Sequence, residues 1–166
     1  ILLRHPHVEV VQATSESNAG HFLHTSHPNL RKQISIKFTS INDLKPCDVL
    51  FLCLPHGSAM RRFGQLEGLA KTVIDLSADF RLKDPKAYEA WYKTPHLHPD
   101  LLTRACYGLP ELHRNAIQSA RLVANPGCYP TGALLGLLPL FEKSLVDPGR
   151  IIIDAKSGVT GAGRSP

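Results

Sequence analysis

The segment NPGCYPTGALLGLLPL, Asn125 to Leu140, sets a thiol between a Pro-Gly turn and a long apolar run. A helix beginning near Tyr129 would aim its unpaired N–H groups and the positive end of its dipole at Cys128. A thiol so placed is favoured as thiolate, the form that acts as a nucleophile. Residue type alone supplies the alternative, a cysteine that serves as a small buried hydrophobe. The glycine-rich segment SGVTGAGR, Ser157 to Arg164, is the second candidate, because glycine lets backbone approach a ligand closely. A flexible surface loop is its competing reading.

The elements that would position these residues alternate between strand and helix. Val8 to about Ala13 reads as a β-branched strand that ends on Thr14-Ser15, and VLFLCL, starting at Val49, as a strand covered on both faces and stopped by Pro55-His56-Gly57. SAMRRFGQLEGLAK has helical spacing through Met60, Phe63 and Leu66, and TVIDLS closes a further strand on Ser77. The proline-rich stretch from Ala78 to Arg114 predicts one short helix, around Ala87 to Tyr92. Ala120 to Ala124 and Ile151 to about Ala155 read as the last strands. This order predicts an α/β fold with a parallel sheet, in which ligands collect beyond the carboxyl ends of the strands. Thr14-Ser15, Pro55-His56-Gly57, Ser77 and Asn125 to Cys128 all fall at such ends, which strengthens the reactive reading of Cys128.

Composition narrows the function classes. The 166 residues are 43% hydrophobic, enough to bury a core. The net charge of +5 is scattered and aromatics are 7%, so no nucleic-acid surface is expected; the modest positive field suits a small anionic substrate or a phosphate-bearing cofactor. Cys47, Cys53, Cys106 and Cys128 form no C-x-x-C pair, so free thiols in a reducing compartment are expected. His21, His24 and His27 recur at every third residue, but Gly20 and Pro28 mark a loop around them, and no metal site is expected. No apolar run approaches the ~18–20 residues that span a bilayer, so the expectation is a soluble, cytoplasmic protein without a membrane partner. The chain opens on Ile1 without a methionine, which suggests an internal fragment and leaves organellar targeting open.

Together, ANPGCYPTGALLGLLPL, LPHG (Leu54 to Gly57), DLSADFRLKD (Asp75 to Asp84), YGLPELHR (Tyr107 to Arg114) and SGVTGAGR resemble N-acetyl-γ-glutamyl-phosphate reductase of arginine biosynthesis, in the family's motif order and over nearly the whole chain. The resemblance implies NADPH-dependent reduction of an acyl phosphate to a semialdehyde with release of phosphate. Cys128 would be the nucleophile, forming a thioester, with helix-start N–H groups holding the oxyanion. It further implies that Pro55, His56 and Gly57 flank NADP(H), with Thr14 and Ser15 near its adenosine ribose and Ser77 in the same set. Ser157, Gly158, Gly161, Ala162 and Gly163 would lie by the cofactor and active site, and Asn125 by the substrate. His56 carries no proton-transfer role.

By the same resemblance, residues 1–124 form a Rossmann-like, doubly wound dinucleotide-binding domain, residues 125–166 begin an α+β catalytic domain, and the protein is a homo-oligomer. The family's first strand and its G-x-x-G-x-x-G loop are expected upstream of Ile1. Its histidine acid/base is expected beyond Pro166, since none of the nine histidines occupies that motif. Two other readings stay open. One is a relative acting on aminoadipyl or aspartyl phosphate, although NPGCYPT favours the arginine pathway. The other is a non-catalytic nucleotide-binding module, against which the presence of Cys128 stands.

Overall fold

In the computed structural model, which describes residues 1–161, the chain divides into two units, Ile1–Cys47 and Asp48 onward. In the first, β1 (Ala13–Thr14) pairs in parallel with β2 (Phe38–Thr39), with α1 (Leu23–Ser26) between them in sequence. Ladder pairing begins only at Ala13; Val8 and Val11, expected to lie in the same strand, are exposed. Side chains fix the remaining loops. Gln12 donates to the Lys45 carbonyl at 2.6 Å and accepts from its N–H at 3.1 Å, and Glu16 accepts from the Ile41 N–H at 3.0 Å.

The second unit runs β3 (Cys47–Leu52), α2 (Ser58–Leu66), β4 (Ala70–Asp75), α3 (Pro85–Tyr92), α4 (Pro99–Arg104), β5 (Cys106–Tyr107), α5 (Pro110–Ser119), β6 (Leu122–Ala124) and α6 (Cys128–Glu142). The sheet order is β3-β4-β6-β5, and β6 is parallel to both β4 and β5, in register Asp75↔Ala124 and Tyr107↔Ala124. This is the expected α/β, Rossmann-like patterning. The helical spacing of Met60, Phe63 and Leu66 buries one face of α2, and Val73, Phe80, Tyr88 and Leu102 complete the core.

Four expectations differ from the structure. The apolar run of β3, expected to be covered on both faces, leaves Val49 45% and Phe51 39% exposed, and only Leu52 is buried, because β3 stands at the edge of the sheet. β3 and β4 each begin and end two residues earlier than their apolar runs suggest, so Ser77 lies two residues past its strand. The proline-rich middle contains α4, β5 and α5, because Pro99 and Pro110 stand at the first helical position, where the missing N–H is no loss. Ile151 to Ala155 is not a strand. Ile152 is 95% exposed, no described strand runs beside it, and extended backbone becomes a strand only by pairing. The glycine-rich segment is described as far as Gly161; Ala162 and Gly163 lie outside the described residues. α6 is apolar around its whole circumference, yet none of its 15 residues is buried.

At Gly108 the chain leaves β5 pressed against β6. A Cβ there would stand 2.9 Å from Val123 Cγ1 and 3.2 Å from the Ala124 carbonyl oxygen. Gly108→Ala is expected to lower unfolding free energy by about 1–3 kcal/mol. Gly64→Ala, on α2 with open space around its Cβ position, should raise it by about 0.5–1 kcal/mol. Urea unfolding of both variants checks the pair, and equal effects would contradict the packing described.

Candidate active site

From the last residue of β4 onward, the segment DLSADFR carries a polar residue at every second position, and each does a separate task. Asp75, fully buried, accepts from the Ser77 N–H at 3.1 Å and its hydroxyl at 2.7 Å. The Ser77 hydroxyl oxygen in turn accepts from the Asp79 N–H at 3.1 Å. Asp79 is also fully buried, and its carboxylate accepts from the Gly57 N–H at 2.7 Å, the Met60 N–H at 2.9 Å and His56 Nδ1 at 2.8 Å. The Tyr88 hydroxyl approaches the same carboxylate at 3.5 Å. Asp79 therefore caps α2 from a distant part of the chain, in the position favoured for negative charge at a helix start.

Burial sets the titration of this cluster. It is the largest influence raising the Asp75 carboxyl above the ordinary carboxylate value and the Tyr88 hydroxyl above the ordinary phenol value, the latter with help from Asp79. His96, packed edge-on to Tyr88 and Phe80, is held below the ordinary imidazole value, again chiefly by burial. His56 is half-exposed, its Nδ1 directed at Asp79 and its ring tilted 34° to that of Tyr92 with the centroids 4.2 Å apart.

The second limb of the site is the turn after β6. The Asn125 N–H continues the ladder to the Asp75 carbonyl at 2.8 Å, Pro126 is buried, and Gly127 caps α6. The helix begins at Cys128 itself, one residue earlier than expected. The Gly127 carbonyl accepts both the N–H and the hydroxyl of Thr131, at 3.0 and 2.9 Å. Pro130 has no N–H, so the donors left without a helical partner in this first turn are those of Cys128 and Tyr129, both exposed residues. Cys128 opens onto a shallow groove of about 670 Å³ walled by Gly108, Pro110, Glu111, Asn125 and Thr131. The Tyr129 hydroxyl donates to the Ser157 hydroxyl at 2.6 Å, which brings the start of the glycine-rich segment beside the thiol's neighbour.

Cys47 and Cys106 are half-buried. The Cys53 thiol is pushed up by burial first and by the Asp75 carboxylate second, the opposite of activation. Pro55, His56, Gly57, Ser77, Asn125 and Cys128 thus lie at the carboxyl ends of three strands of one sheet, and Ser157 reaches Cys128's neighbour. Gly158 and Gly161 close a turn through the Gly161 N–H and the Gly158 carbonyl at 3.0 Å. Thr14 and Ser15 belong to the first unit, where Asn18 donates to the Ser15 hydroxyl at 3.1 Å. Sequence reasoning gave no role to Asp79, Arg81, Tyr88 or Tyr92. The alternation of polar residues at positions 75, 77, 79 and 81, just past a strand, is the signal that could have found the first two.

The residues around His56 suit a dinucleotide in part. Arg61 donates to the Ser58 hydroxyl at 3.1 Å and lies against Gly57, so a cation and an imidazole packed against Tyr92 flank the turn. The start of α2, however, is filled by Asp79, so a pyrophosphate held on helix N–H groups would need another helix.

An α/β sheet with turns gathered at the carboxyl ends of three of its strands, one of them leading into a helix that starts on an exposed thiol, has the architecture of a nucleotide-binding domain joined to a second segment. Residues 1–120 match the model for the semialdehyde dehydrogenase NAD binding domain and residues 128–166 that for the semialdehyde dehydrogenase dimerisation domain; the chain belongs to the semialdehyde dehydrogenase family. It is 54% identical to a protein of Thermomicrobium roseum named as a LysW-L-2-aminoadipate 6-phosphate reductase, over 98% of this chain and 47% of that one. It is 52% identical to an N-acetyl-γ-glutamyl-phosphate reductase of Nitrosococcus oceani, over 99% of this chain and 49% of the relative. Identity to the reductase of that name from Desulforudis audaxviator is 48%, over 99% and 48%. The chain spans about half the length of these relatives. No helix among the described residues is long and apolar enough to cross a membrane.

Asp79→Ala leaves four donors facing a buried void and is expected to cost about 3–5 kcal/mol in urea unfolding, with Asp79→Asn costing less because an amide oxygen still accepts. A loss under 1 kcal/mol, roughly that of a surface position, would contradict the hub. Asp75 adds a pH dependence. Its folded carboxyl holds a proton more tightly than the unfolded one, so stability falls as pH climbs from the ordinary carboxylate value to the raised one. Asp75→Asn should remove that part of the slope.

Proposed function

We propose that the protein reduces N-acetyl-γ-glutamyl phosphate to N-acetylglutamate semialdehyde with release of phosphate, using NADPH, in arginine biosynthesis. The observation that carries this reading is Cys128, exposed at the first position of α6, beside two N–H groups without helical partners and at the carboxyl edge of β6. The Cys128 thiolate adds to the carbonyl carbon of the acyl phosphate, and the charge that develops on the carbonyl oxygen is held by the Cys128 and Tyr129 N–H groups. Such donors are worth ~3–4 kcal/mol each where they act on a transition state. Collapse of the adduct expels phosphate and leaves the acyl group on sulfur, splitting one hard step into two. NADPH, when bound, supplies the hydride that takes the thioester to the aldehyde.

On this reading, Asn125 contacts the substrate in the groove, and Pro55, His56, Gly57 and Ser77 face the cofactor. Thr14 and Ser15 contact its adenosine ribose. Ser157, Gly158, Gly161, Ala162 and Gly163 form the loop that approaches the cofactor and active site. Residues 1–124 serve as the dinucleotide-binding domain and residues 125–166 as the start of the catalytic one. The uncovered apolar helix α6, within the segment that matches a dimerisation domain, supports a homo-oligomer. A cytoplasmic location fits this chemistry.

A second reading, reduction of a LysW-bound aminoadipyl phosphate, is favoured by the 54% identity to the Thermomicrobium roseum protein. Steady-state assays of the intact protein with NADPH and each acyl phosphate, the aspartyl compound included, decide between them. The highest kcat/KM is expected on N-acetyl-γ-glutamyl phosphate, and a preference for the aminoadipyl substrate would move the assignment. Cys128→Ser should keep NADPH binding and lose turnover by several orders of magnitude, because an alcohol has no accessible anionic form at neutral pH. Near-normal turnover in that variant would remove Cys128 from the mechanism.

A further inference from the structure

Arg81 is the one member of the DLSADFR segment whose side chain reaches the second limb of the site. Its Nε donates to the Asn125 carbonyl at 2.8 Å, and its Nη2 donates to the Leu76 carbonyl at 2.9 Å. Leu76 is the first residue past β4 and Asn125 the first past β6, so the guanidinium spans two neighbouring strands just where their ladder stops. The Asn125 peptide groups are thereby held on both sides, the N–H by the Asp75 carbonyl and the carbonyl by Arg81. The third nitrogen is placed as tightly. A Cβ built on Gly127 would stand 3.1 Å from Arg81 Nη1 and 3.4 Å from Pro130 Cδ, so the guanidinium packs against the residue that precedes the thiol.

We infer that Arg81 is a positioning residue for Cys128: by fixing the Asn125 carbonyl and packing against Gly127, it sets the direction in which α6 starts and hence where the thiol and its two N–H groups point. The inference rests on the reading of Cys128 as nucleophile. A planar fork with several donors can span two carbonyls and still set its third nitrogen against a glycine, which a lysine ammonium cannot reproduce. Cys128 is already exposed, so loosening the turn cannot raise its reactivity by uncovering it. Loosening the turn is expected to act on the direction in which the thiol and the two N–H groups point.

The test is the second-order rate of iodoacetamide alkylation at Cys128, located by peptide mass spectrometry, in the native chain and in Arg81→Ala, Arg81→Lys, Gly127→Ala and the Arg81→Ala/Gly127→Ala double variant. Arg81→Ala should slow Cys128 on the order of tenfold, with Arg81→Lys recovering only part. Gly127→Ala should slow it in the native background and have little further effect once the guanidinium is gone, the non-additivity expected of residues in contact. The Cys106 rate reports folding. If Arg81→Ala labels quickly at Cys106, it has unfolded, and Arg81→Lys with Gly127→Ala decides: native Cys128 rates in both would overturn the inference. So would native rates in both folded Arg81 variants, or strictly additive effects in the cycle. No substrate is present, so an intact cycle in a protein that fails to reduce acyl phosphates would count against the functional reading and not against the role of Arg81.

Discussion

A carboxylate with no exposed surface, that of Asp79, is the constraint on which the second unit turns. An isolated charge in such a place would cost far more than folding can supply, so it is tolerated only because donors surround it. Those donors come from the Pro55–Gly57 turn, from the first turn of α2 and from Tyr88 on α3. Satisfying one group therefore fixes the entry of α2, the ring of His56 and the approach of α3. The capping residue of α2 is Gly57, in the left-handed region at φ 77°, which has no side chain to cap with, and the remote carboxylate takes over that work.

The same short segment holds the other limb of the site. Asp75 and Ser77 form a hydrogen-bonded step from the sheet to Asp79, while Arg81 turns toward the end of β6 and lies against Gly127. The turn facing the proposed cofactor and the turn bearing the thiol are thus both anchored on seven consecutive residues that begin with the last residue of β4. In the proposed reaction the thiolate and the hydride donor approach one carbonyl carbon in turn, and a rigid support holds both approach directions fixed.

The α/β class was legible because the apolar runs of β3, β4 and β6 alternate with the helical spacing of Met60, Phe63 and Leu66, and burial follows that spacing. A helix start beside Cys128 was legible from the Pro-Gly turn, and in the structure α6 begins at Cys128, one residue earlier than the sequence implied. The stretch from Pro99 to Ser119 was not, because proline at the first position of a helix and proline that breaks one are the same letter until the preceding backbone is known. Ile151 to Ala155 failed for a different reason: its β-branched residues carry strand propensity, but a strand is a property of two segments, and none of the described residues pairs with it. Asp79 and Arg81 were passed over because their partners lie about 20 and 44 positions away in the chain, a distance over which residue type gives no hint of contact.

The central claim is that the acyl group passes through the sulfur of Cys128. Mixing the intact protein with N-acetyl-γ-glutamyl phosphate in the absence of NADPH, quenching in acid and mapping the peptides by mass spectrometry tests it directly. The account predicts one acyl adduct, on the peptide containing Cys128, removed by hydroxylamine and absent from Cys128→Ser. Stoichiometric adduct on Cys53 or Cys106, or turnover in parallel assays with no adduct on any cysteine, would contradict it.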